Sequence, residues 1–151
     1  MKKGCQLQQN YDIIYSTDKK QKKERANMEM KFYRCAHCGQ IIAIVKKTGV
    51  PVICCGEPMK EIIPSSTDAS VEKHVPVVEV EGDTVKVTVG STEHPMIPEH
   101  YIEWISLQTK AGNQRKALQP GDKPKVCFKI CEGDEIEAVY AYCNLHSLWK
   151  A

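Results

Sequence analysis

The 151-residue chain is 42% apolar and 26% charged, the balance of a soluble globular protein with one ordinary domain or two small ones. Its formal charge of +2 hides a division: residues 1–27 hold seven Lys/Arg against three Asp/Glu, which leaves 14 basic and 16 acidic residues in 28–151. A mildly acidic body argues against a nucleic-acid surface, and no window approaches the roughly 18 apolar residues of a membrane span.

Residues 1–27 show neither helical nor strand periodicity and end in a Lys-rich run. Two readings stand: a solvated tail, or leader RNA translated on paper with the true start at Met28 or Met30. No apolar run of a secretory signal follows the first lysines, so the expected location is the cytoplasm. In that reducing compartment eight cysteines, one of them Cys5 in the tail, point to metal ligation rather than to a disulfide framework.

Residues 28–64 read as a first small domain. Cys35-Ala-His-Cys38-Gly39 precedes an apolar strand Ile41–Val45, a turn at Lys47-Thr48-Gly49, a strand Pro51–Ile53 and then Cys54-Cys55-Gly56. So short a unit cannot bury much core and needs a staple. Four thiolates supply one, as the ligand set of tetrahedral zinc or of a single iron. Cys54 and Cys55 do not suit a bond to each other, because adjacent Cα atoms sit ~3.8 Å apart, below the usual disulfide range. The adjacent pair, unlike the two spaced pairs of a zinc ribbon, leans the choice toward iron. His37, inside the first pair, reads as an exposed filler.

Pro64 to Asp68 reads as a linker, and residues 65–151 as a second domain. Strand signals dominate from Val71. Val75/Val77 and Val85/Val87/Val89 alternate around Glu81-Gly82-Asp83-Thr84; Tyr101–Gln108, Val126/Phe128/Ile130 and Ile136/Ala138/Tyr140/Tyr142 alternate likewise. Turns recur at Gly112-Asn113, Pro120-Gly121-Asp122 and Glu132-Gly133-Asp134. With no long amphipathic helix, the expected fold is mainly β, ending in an immunoglobulin-like sandwich.

His74, His94, His100, Cys143 and His146 form a second candidate set. Pro95 and Pro98 keep the segment between His94 and His100 irregular, and Cys143-Asn-Leu-His146 is a tight turn able to aim both ends at one point. Four imidazoles and a thiolate exceed the tetrahedral zinc set by one and leave an octahedral iron one open position. Cys127 and Cys131 share a face with Lys129, opposite Val126/Phe128/Ile130, and read as surface thiols. Trp104 and Trp149 read as core or site-wall aromatics.

At these residues the chain resembles the desulfoferrodoxins, the two-iron class of superoxide reductase. The likeness runs from about Met30 to Lys150 and includes Cys-Ala-His-Cys-Gly, Cys-Cys-Gly-Glu-Pro-Met, Glu-Lys-His-Val-Pro, Glu-His-Pro-Met, His-Tyr-Ile-Glu-Trp-Ile and Tyr-Cys-Asn-Leu-His. It implies a desulforedoxin-like domain with one iron on Cys35, Cys38, Cys54 and Cys55. An immunoglobulin-like domain would follow, with a second iron on equatorial His74, His94, His100 and His146 and axial Cys143. It further implies that Glu72 caps the open position and that Lys73 attracts the anion and organises water for proton delivery. The implied activity is superoxide detoxification, converting superoxide with one electron and two protons to hydrogen peroxide. A rubredoxin-like donor and a homodimer belong to the same picture. The competing readings are a non-catalytic redox carrier, a zinc-binding interaction module, and superoxide dismutation, which needs no donor.

Overall fold

A computed structural model of the chain describes residues 29–151; the expected tail, 1–27, lies outside the described residues. The first unit is a three-stranded antiparallel sheet of β1 (Lys31–Arg34), β2 (Ile41–Ile44) and β5 (Lys60–Glu61) in the order β2-β1-β5. Beside it lies a two-residue hairpin of β3 (Ile53–Cys54) and β4 (Glu57–Pro58). The expected strand Pro51–Ile53 is shortened to β3, since Pro51 has no N–H for a ladder.

One helical turn, α1 (Val71–His74), leads into two facing antiparallel sheets. One holds β6 (Pro76–Glu81), β7 (Thr84–Val89) and β10 (Lys125–Lys129), ordered β10-β7-β6. The other holds β8 (Ile102–Thr109), β9 (Asn113–Ala117), β11 (Ile136–Cys143) and β12 (Ser147–Lys150), ordered β12-β11-β8-β9. The architecture is therefore mainly β, with the sandwich expected from the alternation. Three elements departed from expectation. Val71–His74 is a helical turn rather than strand; β9, read as starting in a turn, is an exposed polar strand without alternation; and the short terminal strand β12 carried no pattern of its own.

The inter-sheet core collects Val85, Val87 and Val89 from β7, Ile105 and Leu107 from β8, Phe128 from β10, and Val139, Ala141 and Cys143 from β11. The other face of the β8/β11 sheet is covered too. Trp104, Ala138, Tyr140, Tyr142 and Leu148 pack there against Phe32 of the first unit, with Phe32 5.0 Å from Trp104 and 5.3 Å from Tyr140 between ring centroids. A register shift between Ile136 and Ala138 moves Ile136 to the inter-sheet side, so the alternating series splits between two cores. Met30 N–H donates to Gln108 Oε1 at 2.8 Å, tying the first unit down, and Ser65 N–H donates to the Leu148 carbonyl at 2.8 Å, fixing the linker that follows it.

The strands β9 and β10 end their sheets on the same side, where exposed backbone would invite pairing with another chain. Side chains close that edge. Gln114 Nε2 donates to the Lys129 carbonyl at 2.6 Å and Lys116 Nζ to the Cys127 carbonyl. Cys127 and Cys131 are exposed, as expected. Among the described residues no helix is long and apolar enough to cross a membrane.

Candidate metal centres

In the first unit Cys35, Cys38, Cys54 and Cys55 bring their sulfurs within 4.8 Å of one another. Successive residues of an extended chain point to opposite faces, so adjacent cysteines do not ordinarily share a target. Cys55 solves this by taking φ 50°, a left-handed conformation uncommon outside glycine, with Gly56 continuing at φ 84°. Tetrahedral bonds of about 2.3 Å would place sulfurs about 3.8 Å apart; Cys38 and Cys54 stand at 3.7 Å and Cys54 and Cys55 at 4.0 Å. The backbone amides of Cys38 and His37 lower the Cys35 thiol to about 6. Cys54, hydrogen-bonded by Cys38 and Cys35, is pushed up to about 12, and Cys55 rises for the same reason. The Cys35 thiolate forms readily, whereas Cys54 and Cys55 need a cation to ionise. His37 stays outside, exposed and 3.2 Å from Glu57.

The second set gathers at one end of the sandwich. His74 closes α1, His94 follows the turn after β7, His100 precedes β8, Cys143 ends β11, and His146 is the last residue of the three-residue loop before β12. Ser147 adopts φ 65°, which lets the chain re-enter the ladder opposite Cys143 directly after His146. The four imidazoles form a closed ring. Neighbouring centroids lie 4.7 Å (His74–His94), 4.5 Å (His94–His100), 4.7 Å (His100–His146) and 4.7 Å (His146–His74) apart, each pair edge to face at 76–90°. Opposed His74 and His100 are 5.8 Å apart and within 26° of parallel.

Hydrogen bonds settle which nitrogens point inward. Carbonyls only accept, so Nδ1–H of His74 donates to Ser70 at 2.7 Å and Nδ1–H of His94 to Pro95 at 2.6 Å, leaving each Nε2 with a lone pair. Nε2 of His94 and of His100 are buried with no partner among the described residues. His146 turns its Nδ1 inward, 2.9 Å from His74 Nε2 and 3.9 Å from the Cys143 sulfur. Imidazole–metal bonds of about 2.0–2.1 Å at right angles would separate two nitrogens by about 2.9 Å. The donor atoms of His74, His100, Cys143 and His146 lie within 4.8 Å of one another; His94 stands outside that set, although its ring completes the square.

Burial shapes the electrostatics. It lowers His74 and His100 and takes His94 down to about 4, so all three are neutral donors at pH 7. Burial also raises Cys143, against which the amides of His146 and Leu145 push, the former 3.3 Å from the sulfur. Neutral imidazoles with unsatisfied buried nitrogens around a thiol that needs a counter-charge fit a cation such as iron.

Lys73 is partly buried, and its charge helps depress His100 and His74. Glu72 is exposed, its carboxyl held below the usual range first by its own amide and then by the Ser70 hydroxyl. Both ride on α1, clasped from behind: Thr92 N–H donates to the Glu72 carbonyl at 3.0 Å and Gly90 N–H to Val75 at 3.1 Å. Asn144 binds the remaining segments together. Its Oδ1 accepts Tyr101 N–H at 2.9 Å, its Nδ2 donates to the Glu99 carbonyl at 3.2 Å, and its N–H donates to Tyr101 at 3.1 Å. Sequence reading did not single out Asn144 or Ser70, and it named Pro95 only as a breaker of regular structure; Asn144 was detectable only as a residue inside the Cys143–His146 pair, and the other two act through carbonyls.

The models of the desulfoferrodoxin domain and of the desulfoferrodoxin N-terminal domain match residues 66–151 and 27–62. The chain belongs to the desulfoferrodoxin family. The desulfoferrodoxin homolog of Archaeoglobus fulgidus is 46% identical over 122 residues, covering 81% of this chain and 96% of that one. The desulfoferrodoxin of Nitratidesulfovibrio vulgaris is 45% identical over 123 residues, covering 82% and 96%. The crystal structure of the superoxide reductase from Treponema pallidum superposes with a TM-score of 0.69 at 39% identity, over 82% of this chain and 98% of that one. Four cysteines in one unit, and histidines with a cysteine in the other, are the two-metal layout expected of a desulfoferrodoxin.

Proposed function

We propose that this desulfoferrodoxin is a superoxide reductase, converting superoxide, one electron and two protons to hydrogen peroxide. The observation that carries this reading is the closed square of four imidazoles above the buried Cys143 sulfur. Iron held there by His74, His94, His100, His146 and Cys143 would supply the single-electron chemistry and an open position for a small anion. A second iron on Cys35, Cys38, Cys54 and Cys55 would staple the first unit, whose own core is small.

The protein's part is to attract, orient and protonate. Lys73 places a fixed cation beside the imidazoles, favouring an anionic substrate where water is partly excluded. Glu72, ionised at pH 7 on the same helical turn, is the group available to cap the open position. The buried Cys143 sulfur would donate electron density to iron held there, and Trp149, stacked on His74 at 4.8 Å, walls the site.

A rubredoxin-like protein is the proposed electron donor, and a homodimer the proposed assembly. Val45, Val50, Val52 and Ile53 of the first unit are exposed aliphatics that a second copy would cover. The cytoplasm is the proposed location, a reading supported by seven described cysteines of which none is paired in a disulfide.

Iron quantification with visible spectra in both oxidation states tests the proposal. Two irons per chain and a ferric thiolate absorption that vanishes in Cys143→Ser are expected; zinc in both sites would overturn the assignment. Peroxide formed per superoxide consumed, with and without reduced rubredoxin, separates reduction from dismutation.

A further inference from the structure

Trp149 is almost fully buried, with 1% of its surface exposed, yet it is part of neither apolar cluster. Its neighbours on β12 explain why. Leu148 turns toward the first unit, so Trp149, one residue on, projects to the opposite side of the strand, toward the imidazole square. There its ring lies on His74, centroids 4.8 Å apart and planes within 24°. Its Nε1–H donates to the His146 carbonyl at 3.0 Å. A buried indole N–H needs an acceptor, and this one belongs to the turn that carries a ligand.

We infer that Trp149 is a positioning residue for the second metal centre, resting on the ligand set proposed above. His74 and His146 come from segments 72 residues apart, and their inward nitrogens must stay 2.9 Å apart at a right angle to share an ion. One rigid indole touches both. Its face helps to set the plane of the His74 ring, together with the Ser70 hydrogen bond and the edges of the neighbouring imidazoles, and its edge holds the backbone of His146. Phenylalanine would keep the face and lose the edge; an aliphatic residue would lose both. A misaligned imidazole weakens its bond to the ion and alters the field that the Cys143 sulfur sees, which connects Trp149 to the site's spectrum and not only to stability.

The test uses the iron-loaded full chain with Trp149→Phe and Trp149→Leu, and the tetrathiolate absorption of the first centre as an internal control. Loss of supporting groups around metal ligands typically costs 10–100-fold in affinity. Trp149→Leu should therefore release the second iron to a chelator at least about tenfold faster, with a shifted ferric thiolate band and an altered electron paramagnetic resonance signal. Trp149→Phe should fall between it and the native protein. Native release rates and native spectra in both variants would overturn the inference. Should Trp149→Leu fail to fold, Trp149→Phe decides alone, native behaviour counting against it. If Cys143→Ser leaves the native protein's band unchanged, the ligand set itself is wrong, a result distinct from any of these.

Discussion

Asn144 offers the sharpest test of how the second centre is assembled. Replacing it with alanine removes the acceptor for Tyr101 N–H and the donor to the Glu99 carbonyl, while the backbone bond from residue 144 to Tyr101 survives. Two lost hydrogen bonds and a partly buried amide left without a partner amount to about 2–4 kcal/mol. If that stabilisation is spent holding the His100 segment against the Cys143–His146 turn, the detached arrangement becomes about 30- to 1,000-fold more populated. Metal release to a chelator, followed through the Cys143-dependent absorption, should accelerate accordingly, with the tetrathiolate signal as reference. Asn144→Asp keeps the acceptor and loses only the donor, so its effect should be on the order of 1 kcal/mol. An alanine variant that releases metal and unfolds like the native protein would refute the reasoning.

Gly90→Ala should destabilise by more than about 2 kcal/mol in denaturant titrations, since φ is +81° and an added Cβ would lie 2.4 Å from the Thr92 carbonyl and 2.7 Å from that of Lys73. Gly112→Ala, with open space around it, is the control and should change little. Phe32→Ala should cost about 3–5 kcal/mol and raise hydrogen exchange in β1, β2 and β5 while β6 and β7 stay protected. Lys73→Ala should lower the second-order rate with superoxide in pulse radiolysis and remove its ionic-strength dependence, with iron content unchanged; a native rate would refute the steering role. The metal-free protein should lose stability as pH falls from about 6.5 toward about 4. Buried His74, His94 and His100 resist the protons that their unfolded counterparts bind, so unfolding takes up protons in that window; His94 reaches about 4 against an ordinary 6.5. Denaturation midpoints that stay flat between pH 6.5 and 5, above the range where the lowered carboxyls of Glu61 and Asp83 begin to contribute, would contradict it.

Residue type and spacing determined the chemistry. Cys35-x-x-Cys38 with Cys54-Cys55 could be read as a four-sulfur site because thiolates in that number have few other uses in a small unit, and the valines of β7 declared a strand because alternation maps directly onto a half-buried sheet. Local signals also placed the Gly82-Asp83 hairpin and the Cys143–His146 turn. Tertiary structure alone decided what each surface meets. The series Ala138, Tyr140, Tyr142 looks the same in sequence whether it faces a partner sheet or Phe32, and a one-residue shift beside Ile136 divided it between two cores. That β9 would be a strand depended on pairing with β8, since its polar residues show no alternation. The inward nitrogens of His74 and His94 were likewise beyond the sequence, because each is chosen by a carbonyl, at Ser70 or at Pro95. Backbone acceptors and stacked faces leave no mark in a one-letter code; they exist only once distant segments have met.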